Sequence, residues 1–334
     1  MSISAARAAG TRSPLADIQG PVLDGLERVP AEMQGIMMAD HPLIAEVSRH
    51  IQRMQGKLLR PTLALLASRT DGRAEPQAVT LAAALELMHI ATLVHDDSVD
   101  HSVRRRGLPS INKMFSHEVS VIMGDLLYSR ALRALVSLGS LEILRVLTDM
   151  TAELAIGEMR QLGAVDRLNL SEAEYFAVIS SKTASLLAAA CETGALCGAP
   201  RFRATMTRYG DRLGMAFQIA DDILDYTEDE SVTGKPGGLD LKEHKVTLPL
   251  IAALPRMSAA GRQRVDELFA TQDPSDEQVS AVIEIVSTVG GIDTARQRGE
   301  EFVQQAADAL AVIPESPVRT ALGDVIGYVM ERRS

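Results

Sequence analysis

Tryptophan is absent and aromatic residues make up only 3% of the 334 residues. A nucleic-acid groove lined by stacking rings has little to be built from here. Cysteine is almost as scarce. Cys191 and Cys197 sit among Ala, Gly and Leu, and two such thiols fit a reducing compartment as small core hydrophobes rather than a disulfide framework. No uncharged apolar run reaches the roughly 18–20 residues that span a bilayer. The first twenty residues lack the continuous apolar stretch of a secretory signal, and residues 1–30 read as a partly ordered leader. Basic residues are in the minority, 34 against 44 acidic, for a net charge of −10. By itself that balance argues against nucleic acid, anionic membrane or phosphate as partners. No Gly-rich phosphate loop, EF-hand loop or nucleophile–base arrangement occurs either. What remains is a 46% hydrophobic chain with 14 Met and ordinary Gly and Pro counts, which is the composition of a globular protein with a large core.

Helical periodicity runs nearly throughout, with Ala, Leu, Met, Glu, Gln and Arg dominant and β-branched alternation scarce. Helices are expected over Leu43–Met54, from Pro61 to about Ser68, and from Gln77 to His101, the last apolar enough to be largely buried. Further helices are expected over Glu118–Val136, Leu141–Leu162, Ser171–Thr193, Arg203–Tyr226, Lys245–Ala253, Gly261–Leu268, Asp276–Val289 and Gly291–Ala311. Length alone would admit two domains, but no break resembles an interdomain linker. The reading is a single all-α domain over residues 1–334.

Two carboxylate clusters stand out, Asp96-Asp97-Ser98-Val99-Asp100 and Asp221-Asp222-Ile223-Leu224-Asp225. Both spell D-D-x-x-D and both close a long apolar helix. Positions i and i+4 share a helix face, so Asp96 pairs with Asp100 and Asp221 with Asp225. Negative charge is unfavourable at a helix C-terminus, where the dipole opposes it. Two such clusters call for a compensating hard cation, and Mg²⁺, which takes oxygen ligands and bridges carboxylates to substrate phosphates, fits. The bland alternative is a solvated acidic helix end, which is less credible twice than once.

Basic residues flank both clusters. Lys57 and Arg60 stand three apart at a helix start, where the dipole favours anions. Arg105 and Arg106 follow the first cluster, Lys182 and Thr183 open an Ala-rich stretch, and Lys235 and Lys245 lie beyond the second cluster. His89 precedes Asp96 by about two helical turns, and Gln218 precedes Asp221 by one. His89 alone would as readily be a satisfied core histidine. Taken together, these residues describe a site for two phosphorylated ligands. Its six motif aspartates and seven basic residues nearly cancel, so the overall −10 belongs mostly to the rest of the surface.

Across these motifs the chain resembles the trans-isoprenyl diphosphate synthases, or polyprenyl synthases. GKLLRP, ELMHIATLVHDDSVD, RRG, MGDLLYSRAL, KTASLL, FQIADDILDY, TGKP and KVTLPLI occur in that family's order, and the match runs from about Leu43 to the C-terminal Tyr328–Arg332. The resemblance implies an all-α isoprenoid synthase fold with long helices around a deep central cavity, in a homodimer. It implies about three Mg²⁺ per site, with Asp96 and Asp100 as ligands supported by Asp97, and with Asp221 and Asp225 holding the remainder. Lys57, Arg60, His89 and Arg106 match the positions that bind isopentenyl diphosphate. Arg105, Lys182, Thr183, Gln218, Lys235 and Lys245 match those around the allylic diphosphate, and Asp96, Asp100, Lys182 and Asp221 are the expected catalytic set. One departure is Leu58, where the family often carries a second basic residue.

The implied reaction is head-to-tail condensation of an allylic diphosphate with isopentenyl diphosphate. Product length would be set below Asp96 by a stripe at helical spacing, Ala84, Met88, Ala91 and Thr92. Small Ala91 and Thr92 and flexible Met88 let the chain pass, so the expected product is long, about C30–C50. Three alternatives stand beside this reading. A geranylgeranyl diphosphate synthase would stop sooner. A terpene cyclase would have no need of Lys57, Arg60 and His89. A non-catalytic synthase subunit would lose an aspartate motif. A cytoplasmic enzyme without nucleic-acid partners or a transmembrane segment completes the expectation.

Overall fold

The computed structural model describes residues 15–54, 56–73, 75–227 and 237–330. Three short helices open it, α1 (Leu15–Gln19), α2 (Leu23–Leu26) and α3 (Val29–Met37). Of the leader expected over residues 1–30, the described part is thus mostly helical and buries Ile18, Val22, Leu26 and Val29. Residues 1–14 lie outside the described residues. Next come α4 (Pro42–Arg53), α5 (Leu59–Ser68) and α6 (Gln77–Val99). Helix α5 begins two residues before Pro61, which still lies in the first turn, where its missing N–H leaves no bond unmade.

Helix α6 is apolar around its whole circumference and forms the middle of the larger core, packed by α3, α5 and two later helices, His117–Ser137 and Ser185–Gly198. By length and composition it could cross a membrane, although Glu86 and the aspartates break any uncharged run within it. However, 78% of that stretch is buried within the protein, as in the core helix of a globular fold. A tight hairpin follows, β1 (Arg104–Arg105) with β2 (Leu108–Pro109). Its two turn residues, Arg106 and Gly107, both have positive φ, the conformation that matches the twist of the flanking strands.

The chain continues through α7 (Ile111–Met114), α8 (His117–Ser137), α9 (Leu141–Leu162), α10 (Glu172–Ile179) and α11 (Ser185–Gly198). The single helix expected over Ser171–Thr193 is interrupted between α10 and α11. Ser180–Ala184 widens there into one π-turn, a local insertion that the 3.6-residue period does not reveal. Then follow α12 (Arg203–Thr227), α13 (Leu239–Lys242), α14 (Leu248–Ala253), α15 (Ala259–Phe269), α16 (Asp276–Thr288), α17 (Gly291–Ala309) and α18 (Pro317–Met330). Lys245 was expected on a helix from Lys245 to Ala253. It stands in the preceding loop instead, because Pro249 suits the first turn of α14 and Thr247 flanks it in an extended conformation.

Two apolar clusters form the interior. The larger surrounds α6, and the smaller gathers α10, α13, α14, α15, α16 and α17. Helix α12 belongs to both, with Met206, Tyr209 and Leu213 in the first and Met215, Ile219, Ile223 and Tyr226 in the second. The second aspartate cluster therefore ends a helix clamped along its length.

Candidate active site

The C-terminal turns of α6 and α12 carry the two aspartate clusters. Asp97 faces the core rather than its neighbours' side. It is buried and accepts from Arg105 at 3.0 Å (Nε) and 2.5 Å (Nη2), so one of the first cluster's three carboxylates is already neutralised. The same pair pins the β1–β2 hairpin under α6, aided by Asn112, which donates to the backbone carbonyl of Asp97 at 3.0 Å. Asp100 caps the end of α6, exposed. Asp96 is pushed up to about 6, chiefly by burial and then by the charge of Glu158, with Asp100 adding and Lys182 and Arg105 opposing.

In the second cluster Asp222 is buried. It accepts from the Tyr175 hydroxyl at 2.6 Å and from Gln218 Nε2 at 2.8 Å. Thr183 in turn donates to Gln218 Oε1 at 2.7 Å. These bonds favour the carboxylate, yet burial and the nearby Asp221 and Asp225 win, and Asp222 is pushed up to about 7. Asp225 accepts from the backbone N–H groups of Leu239 and Asp240 at 3.0 Å each, closing the start of α13. Asp240 itself is pushed up to about 8 by burial and by Asp222 and Asp225.

A cavity of about 700 Å³ opens here. Lys182, Thr183, Gln218, Asp221, Asp222, Asp225, Asp240 and Lys245 line its polar side, with Leu170, Tyr175, Val178, Ile179 and Leu224 apolar. Lys182 reaches it from the π-turn and is held by Glu158 at 2.7 Å. Lys245, half-buried, contacts Glu243 at 2.5 Å; burial works against its charge, but Glu243, Asp240 and Asp100 outweigh it and hold the ammonium above the ordinary lysine range. Of the two clusters only the second lines this cavity, while Lys182 acts on the charge of Asp96 and Asp100 on that of Lys245.

The remaining basic residues gather around His89, about two turns before Asp96 on α6. His89 is buried, and burial together with the positive charges of Arg60, Arg106 and Arg105 holds it well below the ordinary histidine range. It is a neutral imidazole at pH 7, able to donate one N–H but supplying no charge. Arg106 donates to the Met54 carbonyl at 2.6 Å and lies over Gly56, where any Cβ would stand 2.5 Å from its Nη1. Lys57 sits 5.8 Å from the centre of the Tyr328 ring of α18. Thus Lys57, Arg60, His89 and Arg106 share one neighbourhood, drawn together by α5, α6 and the hairpin. Lys235 lies outside the described residues. Of the length-setting stripe, Ala84, Met88 and Ala91 are buried and Thr92 half-buried, its hydroxyl donating to the His89 carbonyl; none of them lines the 700 Å³ cavity.

Four residues of this site escape a sequence reading. Glu86 is buried with Oε2 lacking a hydrogen-bond partner, its carboxyl raised by burial against the pull of Arg60 and Arg106. Its spacing of three before His89 was the available signal. Glu158, Tyr175 and Asp240 carried none, since their partners come from other elements.

Fitness for a hard cation can be judged from the donors. Among the described residues no three His, Cys, Asp or Glu side chains converge into a ready-made cage. Asp96, Asp100, Asp221 and Asp225 are oxygen-only donors, and burial raises Asp96 and Asp225. That is the pattern for an ion held by one or two carboxylates at a time and completed by water and substrate oxygens, as Mg²⁺ prefers.

Known proteins resemble this chain over most of its length. Residues 41–286 match the family model described as polyprenyl synthetase. The chain is 37% identical over 318 residues to the all-trans-nonaprenyl-diphosphate synthase (geranyl-diphosphate specific) of Rhodobacter capsulatus, covering 95% of this chain and 97% of that one. It is 36% identical over 295 residues to a short chain isoprenyl diphosphate synthase of Methanothermobacter thermautotrophicus, covering 86% and 90%. Among solved structures, a decaprenyl diphosphate synthase from Rhodobacter capsulatus superposes with a TM-score of 0.90 at 34% identity, over 95% of this chain and 99% of that one.

Proposed function

Because this chain belongs to the polyprenyl synthetase family, we propose that it joins an allylic diphosphate to isopentenyl diphosphate, repeatedly and head to tail, giving an all-trans polyprenyl diphosphate of about C30–C50. The enzyme is a prenyltransferase. The observation that carries the substrate assignment is that Lys182 and Lys245 line the cavity of the second aspartate cluster and are each coupled by charge to an aspartate of the first. Relatives at near-equal identity carry names of opposite chain length, so the length rests on Met88, Ala91 and Thr92 instead.

Lys182, Lys245 and Arg105 hold the allylic diphosphate and stabilise the negative charge that builds on it as its C–O bond breaks. Mg²⁺, held by Asp96, Asp100, Asp221 and Asp225, supplies further neutralisation of that leaving group when bound. Lys57, Arg60 and Arg106 hold the second diphosphate, and neutral His89 donates an N–H to it. Its double bond is thereby fixed beside the allylic cation, and the new C–C bond forms. The departing diphosphate accepts the proton lost from the product. Apolar walls such as Ile179 and Leu224 keep out water that would otherwise capture the cation. A cytoplasmic homodimer belongs to the same proposal, supported by the family resemblance.

Incubating the purified enzyme with farnesyl diphosphate, isopentenyl diphosphate and Mg²⁺ and separating the products by chromatography tests this. A ladder ending at about C30–C50 is expected. A sole C15 or C20 product would reject the long-chain assignment, and a cyclic hydrocarbon would reject chain elongation.

A further inference from the structure

Two loops frame the cavity beside Lys245, and each carries a non-glycine residue in the left-handed region. Asp166 has φ +62° and His244 φ +54°. L-residues adopt this region reluctantly, and it persists where surroundings over-determine it. Here the two residues determine each other. The Asp166 N–H donates to the His244 carbonyl at 3.2 Å. His244 Nδ1 lies 2.5 Å from Asp166 Oδ1, and Nε2 lies 3.1 Å from the Thr271 carbonyl. Its ring also packs on Phe269, with centroids 5.2 Å apart. Both ring nitrogens thus face oxygen atoms of other loops.

The contact joins parts that the cavity uses. Ala164 and Val165, just before Asp166, line it, as do Lys245, Val246 and Thr247, just after His244. Lys245 stands in a loop that no helix fixes, although its N–H bonds the Asp240 carbonyl at 2.8 Å. We propose that Asp166 and His244 form a latch between the α9–α10 loop and the α13–α14 loop, and that this latch positions Lys245 for the allylic diphosphate. This rests on the assignment of Lys245 made above. Neither side chain touches substrate, and both are positioning residues. A left-handed histidine is retained here because three partners hold its ring where a glycine would leave the loop free.

Steady-state kinetics on the full-length enzyme with Mg²⁺ test the latch, varying each substrate at saturating amounts of the other. His244→Gly and Asp166→Gly keep the positive φ available while removing one half of the contact each. Both are expected to raise the allylic KM about tenfold while the isopentenyl KM stays within about twofold. Asp166→Asn keeps an acceptor oxygen and tolerates the same backbone, and should recover most of the loss. An unchanged allylic KM in both glycine variants overturns the proposal. So does an equal rise in both KM values with a lowered Tm, which would mark a merely structural contact. Lys245→Ala separates the two levels. If it leaves the allylic KM unchanged, the assignment of Lys245 fails and takes the latch with it. If it raises that KM while the glycine variants do not, the latch alone fails.

Discussion

Burial decides the chemistry of single carboxylates more than their sequence neighbours do. Asp221 and Asp222 are adjacent, yet Asp222 is buried at the cavity wall, held by Tyr175 and Gln218, and is pushed up from 3.8 to about 7. A carboxyl whose folded-state pKa lies above its unfolded value binds its proton more tightly when folded. Stability is therefore present at low pH and lost as pH rises from about 4 to about 7. In Asp222→Asn this contribution is absent, so the fall in Tm between pH 5 and pH 8, measured in chelator, should be shallower than in the parent enzyme. An equal slope would show that Asp222 titrates normally. The sequence displays Asp222 as one of six equivalent aspartates. Its distinct state comes from burial, which outweighs the opposing bond from Tyr175 on another helix, and neither leaves a signal in the sequence.

Among the elements, the π-turn at Ser180–Ala184 matters most for the site. It projects Lys182 and Thr183 toward the cavity, and glycines let helices press on it from two sides. A Cβ at Gly157 of α9 would stand 2.8 Å from the Lys182 backbone nitrogen, and one at Gly214 of α12 2.5 Å from the Ala184 Cα. Neither neighbour is a flexible side-chain tip, so the backbone must give. Gly157→Ala is expected to cost about 1–3 kcal/mol, as overpacking typically does, and to lower kcat by displacing Lys182. Thermal unfolding and turnover measured together check this, and unchanged turnover would mean that Lys182 tolerates the shift. Helix ends, by contrast, were largely legible. Leu141–Leu162 has the expected bounds, and α6 and α12 end within two residues of expectation, because apolar periodicity and helix-stopping residues are local signals. The π-turn is missed because a single widened turn leaves composition and periodicity almost unaltered.

For the molecule as a whole, the open question is how far a product can grow. Ala84, Met88 and Ala91 follow α6 away from Asp96 into the larger core. Ala91→Phe places a ring one helical turn and a little more below that aspartate. The product should then be shorter than that of the parent enzyme, which chromatography reads directly. An unchanged product would show that the chain grows along another wall. The Tm of the same variant tests whether the ring is accommodated, since overpacking a buried site costs about 1–3 kcal/mol.

The chain's amino-acid order determined its helical class, the two aspartate clusters and the identity of nearly every basic residue around them. These follow from periodicity and from motifs whose members lie within one or two helical turns, where backbone geometry alone sets which side chains share a face. Tertiary structure decided the rest. It set Asp97 against Arg105, made His89 a neutral group amid arginines, and brought Glu158 to Lys182 and Asp166 to His244. Each of these states depends on burial and on charges contributed by elements distant in the chain, and neither quantity exists until the helices have packed.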